Sequence, residues 1–182
     1  METAVTRYAA LLRGINLGAK KRVAMADLRA LLTGLGLAEV STLLQSGNAM
    51  FASDEQPQAL ARMLEQAIDD RFGMPVRCLI RTGPQLRAVL DAHPLADVAT
   101  DGARMMALFL SDMPSAELLA AHELEAIEPG MIHVGDRVIY HWCPDGIIES
   151  FPLSAFVEKK LGVTVTARNW NTVTKLVAKL NA

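Results

Sequence analysis

Three short polar stretches hold the side chains of this 182-residue sequence that could do chemistry. The first, Arg13-Gly14-Ile15-Asn16-Leu17-Gly18-Ala19-Lys20-Lys21, sets cations and one amide around two glycines. Between a strand and a helix, such a loop can offer backbone N–H groups and a helix N-terminus to an anion. It departs from the P-loop pattern. Counted from Gly14, the second glycine would fall at Ala19, and Lys21 stands where a magnesium-binding hydroxyl is required. The spacing of Gly14 and Gly18 is also wrong for a dinucleotide fingerprint. The second stretch, Gln45-Ser46-Gly47-Asn48, places amide and hydroxyl groups beside a glycine, where they serve either a ligand or the backbone of the turn itself. In the third, Arg168-Asn169-Trp170-Asn171-Thr172, an arginine beside a helix N-terminus has the chemistry of an oxyanion or phosphate clamp. An Asn or Thr there also suits the N-cap, and Trp170 suits a packing anchor. Lys175 and Lys179, at i and i+4, add charge to one face of the helix that follows.

Other catalytic patterns fail on spacing. His93, His122, His133 and His141 form neither H-x-x-x-H nor H-E-x-x-H, so no metal site is expected. His141 and Cys143 share a face only if a strand runs through both, and Pro144-Asp145-Gly146 reads as a turn just beyond. No Gly-x-Ser-x-Gly elbow is present. Asp69 and Asp70 are adjacent in sequence on a helical stretch and point apart, as solvated side chains do.

The elements that must position these stretches follow from hydrophobic periodicity. Tyr8 to Leu12 is a short apolar run, read as a buried strand; Met25, Leu28, Leu31, Leu32 and Leu35 recur at helical spacing up to Gly36. Val40–Gln45 and Ala49–Ala52 read as strands joined at Ser46-Gly47-Asn48. Leu60, Leu64, Ala67, Ile68 and Phe72 mark a helix stopped by Gly73, and Val76, Cys78 and Ile80 alternate with Arg77 and Arg81 as a half-buried strand. Strand, helix, strand, strand, helix, strand is the ferredoxin-like order. After a connecting helix beginning at Pro84, the order repeats. Met105–Leu110 reads as a strand, and Ser115 caps a helix. Met131–Val134 and Val138–Trp142 form a hairpin about Gly135-Asp136. A helix through Leu153, Phe156, Val157 and Leu161 ends at Gly162, and Val163–Thr166 supplies the sixth element. The expectation is an α+β fold of two ferredoxin-like (βαββαβ) halves packed together, residues 1–82 and 103–168. Residues 83–102 connect them, and 169–182 form a C-terminal helix packed on the body.

A content of 51% apolar and 21% charged residues excludes a disordered chain and supports an adequate core. No apolar run is long enough to span a bilayer, and the first residues lack the pattern of a secretory signal. Two cysteines suit a reducing cytoplasm. The net charge of −2 conceals an uneven distribution: residues 1–30 carry +4, 31–157 carry −10 and 158–182 carry +4. Two of the three polar stretches lie in the positive ends, so a local basic site is compatible with an acidic whole.

The three stretches also resemble, in order, an uncharacterised bacterial family known as domain of unknown function 1697. The resemblance rests on Ala9-Ala10-Leu11-Leu12-Arg13-Gly14-Ile15-Asn16-Leu17-Gly18, Leu44-Gln45-Ser46-Gly47-Asn48 and Thr166-Ala167-Arg168-Asn169-Trp170-Asn171-Thr172, with Glu158-Lys159-Lys160-Leu161-Gly162 between. It implies an α+β fold with ferredoxin-like parts and implies no activity. Ala19 stands where the family's loop has a glycine, and Ala167 where its last motif has an arginine.

The functional expectation is a surface that binds an anionic ligand, either a nucleotide or a nucleic acid. Arg13, Lys20, Lys21 and Arg168 would supply charge, and Asn16, Gln45, Ser46, Asn48, Asn169 and Asn171 hydrogen bonds. With 5% aromatics, the stacking mode of RNA-binding sheets is poorly supported. Two alternatives stay open. One is an enzyme acting on a phosphorylated or carboxylated small molecule, with Arg13 or Arg168 as the oxyanion clamp; the other is a purely structural role for the motifs.

Overall fold

A computed structural model describes residues 4–15, 23–44 and 47–181. The chain divides into two compact units, Met1–Leu86 with Leu176–Ala182, and Arg87–Lys175. Each is a four-stranded antiparallel sheet carrying helices, so the fold is mixed α+β. Among the described residues no helix is long and apolar enough to cross a membrane.

The first unit runs β1 (Thr6–Arg13), α1 (Met25–Gly34), β2 (Ala38–Leu43), β3 (Asn48–Ser53), α2 (Pro57–Phe72) and β4 (Arg77–Thr82), with sheet order β2-β3-β1-β4. Alternation decides which side chains meet the helices. Tyr8, Ala10 and Leu12 of β1 join Phe51 of β3 and Cys78 and Ile80 of β4 in one core with Leu28 and Leu32 of α1 and Leu60, Leu64 and Ile68 of α2. The helical residues recur every three or four positions, which is why periodicity alone located them. Ala9, Leu11, Leu79 and Met50 on the opposite sheet face are buried as well. Both faces of β1 are therefore apolar, which accounts for its unbroken hydrophobic run. Gly73 ends α2 in the left-handed conformation, and its N–H bonds to the carbonyl of Asp69 at 2.8 Å.

The second unit repeats the order. Within the helix α3 (Gly83–Asp91) the chain passes from the first unit to the second, and β5 (Met105–Leu110) follows. Then come α4 (Ala116–His122), the one-turn α5 (Leu124–Ile127), β6 (Ile132–Val134), β7 (Val138–Trp142), α6 (Leu153–Leu161), β8 (Val165–Asn169) and α7 (Trp170–Leu180). Its sheet order is β6-β7-β5-β8. Leu108, Leu110, Ile139 and Val165 face Leu124, Leu153, Val157 and Leu161 in its core. Ser115 caps α4 by accepting from the Leu118 N–H at 3.2 Å. Gly135 closes the β6–β7 hairpin onto the Val138 carbonyl at 2.8 Å.

One boundary differs from the sequence reading in a way that matters for the site. The last strand is Val165–Asn169, not Val163–Thr166, so Arg168 belongs to the sheet. The polar Thr166 and Arg168 break the apolar alternation by which the strand was read, although both are buried.

Candidate functional site

In the first unit the first two polar stretches touch. The N–H of Leu12 donates to the carbonyl of Gly47 at 2.9 Å. Gly47 has φ +88°, and a Cβ there would stand 2.5 Å from Ile15 Cγ2 and 3.0 Å from Leu12 Cβ. No side chain fits that space or favours that backbone. Asn48 is fully buried and donates from Nδ2 to the Leu43 carbonyl at 3.0 Å, closing the turn across β2 and β3. Gln45 and Ser46, and in the first stretch Asn16, Lys20 and Lys21, lie outside the described residues.

Arg13 is exposed at the end of β1, directly opposite Arg77 of β4, which is exposed too. Partners in register project to the same sheet face. Leu12 and Cys78 pair beside them and face the helices, so the two arginines project from the other side, the side that Asn48 shares through its register with Leu11. Sequence reading overlooked Arg77, since its place in an alternating strand explained it as a solvated residue. Only the pairing register sets the two cations together. A cleft of about 240 Å³ in the same unit is lined by Arg7, Glu39 and Lys179 among others. There the Arg7 guanidinium already pairs with the Glu39 carboxylate at 3.3 Å.

The third stretch lies within the second unit and is absorbed by local structure. Arg168 is 7% exposed. Its Nη1 donates to Thr166 Oγ1 at 2.7 Å and to the Ala167 carbonyl at 2.8 Å. Burial lowers its pKa to about 10, so it remains a cation at neutral pH. Asn169 is the cap of α7, its Oδ1 accepting from the Thr172 N–H at 2.9 Å. The Trp170 N–H donates to the Gly102 carbonyl at 3.0 Å, and its ring lies 4.2 Å from His93. Asn171 is exposed on the first turn, its amide against Gly102. Tyr140 shares a sheet face with Arg168, since both pair with Ala107. Its hydroxyl donates to the Val89 carbonyl at 2.8 Å, and burial raises its pKa to about 12.

Arg13 and Asn48 are thus brought to one face within the first unit, whereas Arg168, Asn169 and Asn171 serve the β8–α7 junction of the second. Among the described residues no group of three or more His, Cys, Asp or Glu side chains is placed to hold a metal ion.

Comparison with known proteins adds a family and a fold relative. A family model described as "Protein of unknown function (DUF1697)" matches residues 5–140. Among solved structures, the chain is similar to the conserved bacterial protein SP0830 from Streptococcus pneumoniae, with a TM-score of 0.76 and 27% identity over 98% of this chain and 100% of that one. Among curated proteins, none matches.

Proposed function

Since the chain belongs to the DUF1697 family, which carries no assigned function, we propose from its own side chains that the first unit binds a phosphate-bearing ligand at the Arg13 end of its sheet. The single observation that carries this reading is the exposed Arg13–Arg77 pair, two cations held opposite each other on neighbouring strands. Like charges in that position repel, and an anion seated between them reverses the sign of the interaction. Guanidinium groups also match phosphate oxygens in bidentate geometry. Lys20, Lys21 and Arg22 follow Arg13 closely in sequence and make that stretch of the chain strongly positive. Nucleotides and nucleic acids share this chemistry.

The hydrogen bonds of Arg168 and Asn169 favour a structural role for the third motif. Each half is read as ferredoxin-like, a reading supported by the strand orders β2-β3-β1-β4 and β6-β7-β5-β8 with all neighbours antiparallel.

The test measures binding of a labelled mixed-sequence oligonucleotide, and separately of ATP, between about 50 and 200 mM salt. Binding should weaken as salt rises, steeply for an oligonucleotide and gently for a mononucleotide. The Arg13→Ala/Arg77→Ala double variant should lose at least about tenfold in affinity, while stability changes little because both positions are exposed. If neither ligand binds at about 50 mM salt, where phosphate contacts are strongest, the reading fails.

A further inference from the structure

The second unit contains a pocket of about 380 Å³, and all its lining residues belong to that unit. Its walls include Met106, Leu108, Phe151, Leu153 and Ala167, and His141 lines it with them. His141 is 4% exposed. Its Nε2 meets Glu128 Oε1 at 2.7 Å. A carboxylate oxygen can only accept, so in the neutral imidazole Nε2 carries the hydrogen and Nδ1 presents a lone pair. Among the described residues Nδ1 meets no hydrogen-bond partner. Yet among the described residues no fully buried side-chain nitrogen or oxygen is left without one. Met106 pairs with His141 across the sheet, and Leu108 and Ala167 lie on the same face, so the His141 side chain projects to the side on which these pocket walls stand. Nδ1 is its one ring nitrogen without a bond to a described residue.

A buried imidazole held in one tautomer by a carboxylate is the arrangement by which proteins orient a histidine toward something else. Here no described residue bonds to the other ring nitrogen. Cys143 contributes a neutral wall, since burial pushes its thiol above the ordinary thiol range. On the rim stands Ile148, 94% exposed, an apolar side chain in water beside an apolar opening. The volume falls at the small end of ligand pockets, which run roughly 300–1,000 Å³ and pair apolar walls with a few placed polar groups.

We propose that this pocket binds a small apolar molecule through a single hydroxyl group donated to His141 Nδ1. An alkylated phenol or compact hydrophobic alcohol has the required chemistry: one O–H donor on an apolar frame, without charge. A carboxylate does not, because it would bring only acceptors to a lone pair.

The probes are 4-tert-butylphenol, its methyl ether and 4-tert-butylbenzoate, titrated into the full chain by calorimetry and by ¹⁵N NMR of the histidine rings. The phenol should bind saturably and shift the Nδ1 resonance of His141. The ether, lacking the donor, should bind about tenfold more weakly, the worth of one well-placed hydrogen bond. The benzoate should be the weakest. His141→Phe keeps an aromatic ring of similar size, and Glu128, being partly exposed, can return to solvent. Phenol and ether should then bind this variant alike. Ala155→Trp, at an exposed position on the rim, should block both ligands without disturbing the core. Equal affinity of phenol and ether for the unaltered protein overturns the proposal, as does an unmoved Nδ1 resonance. Phenol binding that survives Ala155→Trp, or no saturable binding in the millimolar range, overturns it too. Because no residue is shared with Arg13 or Arg77, the outcome is independent of the anion-binding reading.

Discussion

Gly47→Ala tests whether the first two motifs exist to fit each other. Two costs follow from the structure. At φ +88° an L residue sits in the left-handed region, at roughly 1–2 kcal/mol. The new Cβ would also lie 2.5 Å from Ile15 Cγ2, where carbon atoms rest at about 3.5–4.0 Å, so one side must move by about 1 Å. Overpacking of that kind costs typically 1–3 kcal/mol. Together the loss is about 2–5 kcal/mol, a large part of the stability of an ordinary domain. Gly14→Ala is the control: its φ is +92° but nothing lies within 4 Å of the added Cβ, so only the backbone cost applies. The assay is urea unfolding of the first unit, read by alkylation of Cys78. This thiol is buried in that unit's core, and burial, with Glu65 nearby, pushes its pKa far above the ordinary thiol range. It reacts only once the unit opens. Adding Ile15→Ala to Gly47→Ala should relieve the clash, so the double variant falls short of additivity by about 1–3 kcal/mol. If Gly47→Ala costs no more than Gly14→Ala, or the cycle is additive, the contact is not what requires a glycine.

Arg168→Ala should destabilise the second unit by about 2 kcal/mol or more, since two charge-assisted hydrogen bonds are lost and the relief of desolvation returns only part of them; urea denaturation measures it, and a neutral effect would contradict a structural role. Asn169→Ala removes the α7 cap and should cost about 1 kcal/mol in the same assay. Burial lowers the pKa of His93 from 6.5, so below about pH 6.5 the unfolded chain binds more protons than the folded one. Stability contributed by the neutral ring is complete above that value and declines as the pH falls through the folded pKa. Thermal melting should therefore show the protein losing more stability than His93→Phe between pH 7.5 and 5.5; parallel losses would contradict the assignment.

Much of the fold was readable because its signals are local. Leu28 and Leu32, or Leu60, Leu64 and Ile68, recur at the helical period, and Gly73 and Gly162 end their helices in the left-handed conformation. The end of the last strand was not readable. Thr166 and Arg168 are buried polar residues paired with each other, and alternation of apolar residues does not register them. The site shows the same limit. Arg13 stood out by composition and Arg77 did not, because only cross-strand register sets them side by side.

His141 is the sharpest case. In sequence it is one of four scattered histidines. A buried imidazole in the apolar strand Val138–Trp142 requires a partner, but nothing local says that the partner is Glu128, thirteen residues earlier. Periodicity, caps and turn residues act over a few positions, and so the sequence by itself determined the elements, their order and the segments of uneven charge. Which cations stand together, which amides are consumed by caps, and which carboxylate an imidazole meets depend on contacts beyond the reach of local pattern. The tertiary structure decided these, because burial and register are properties of the assembled sheet and not of any segment within it.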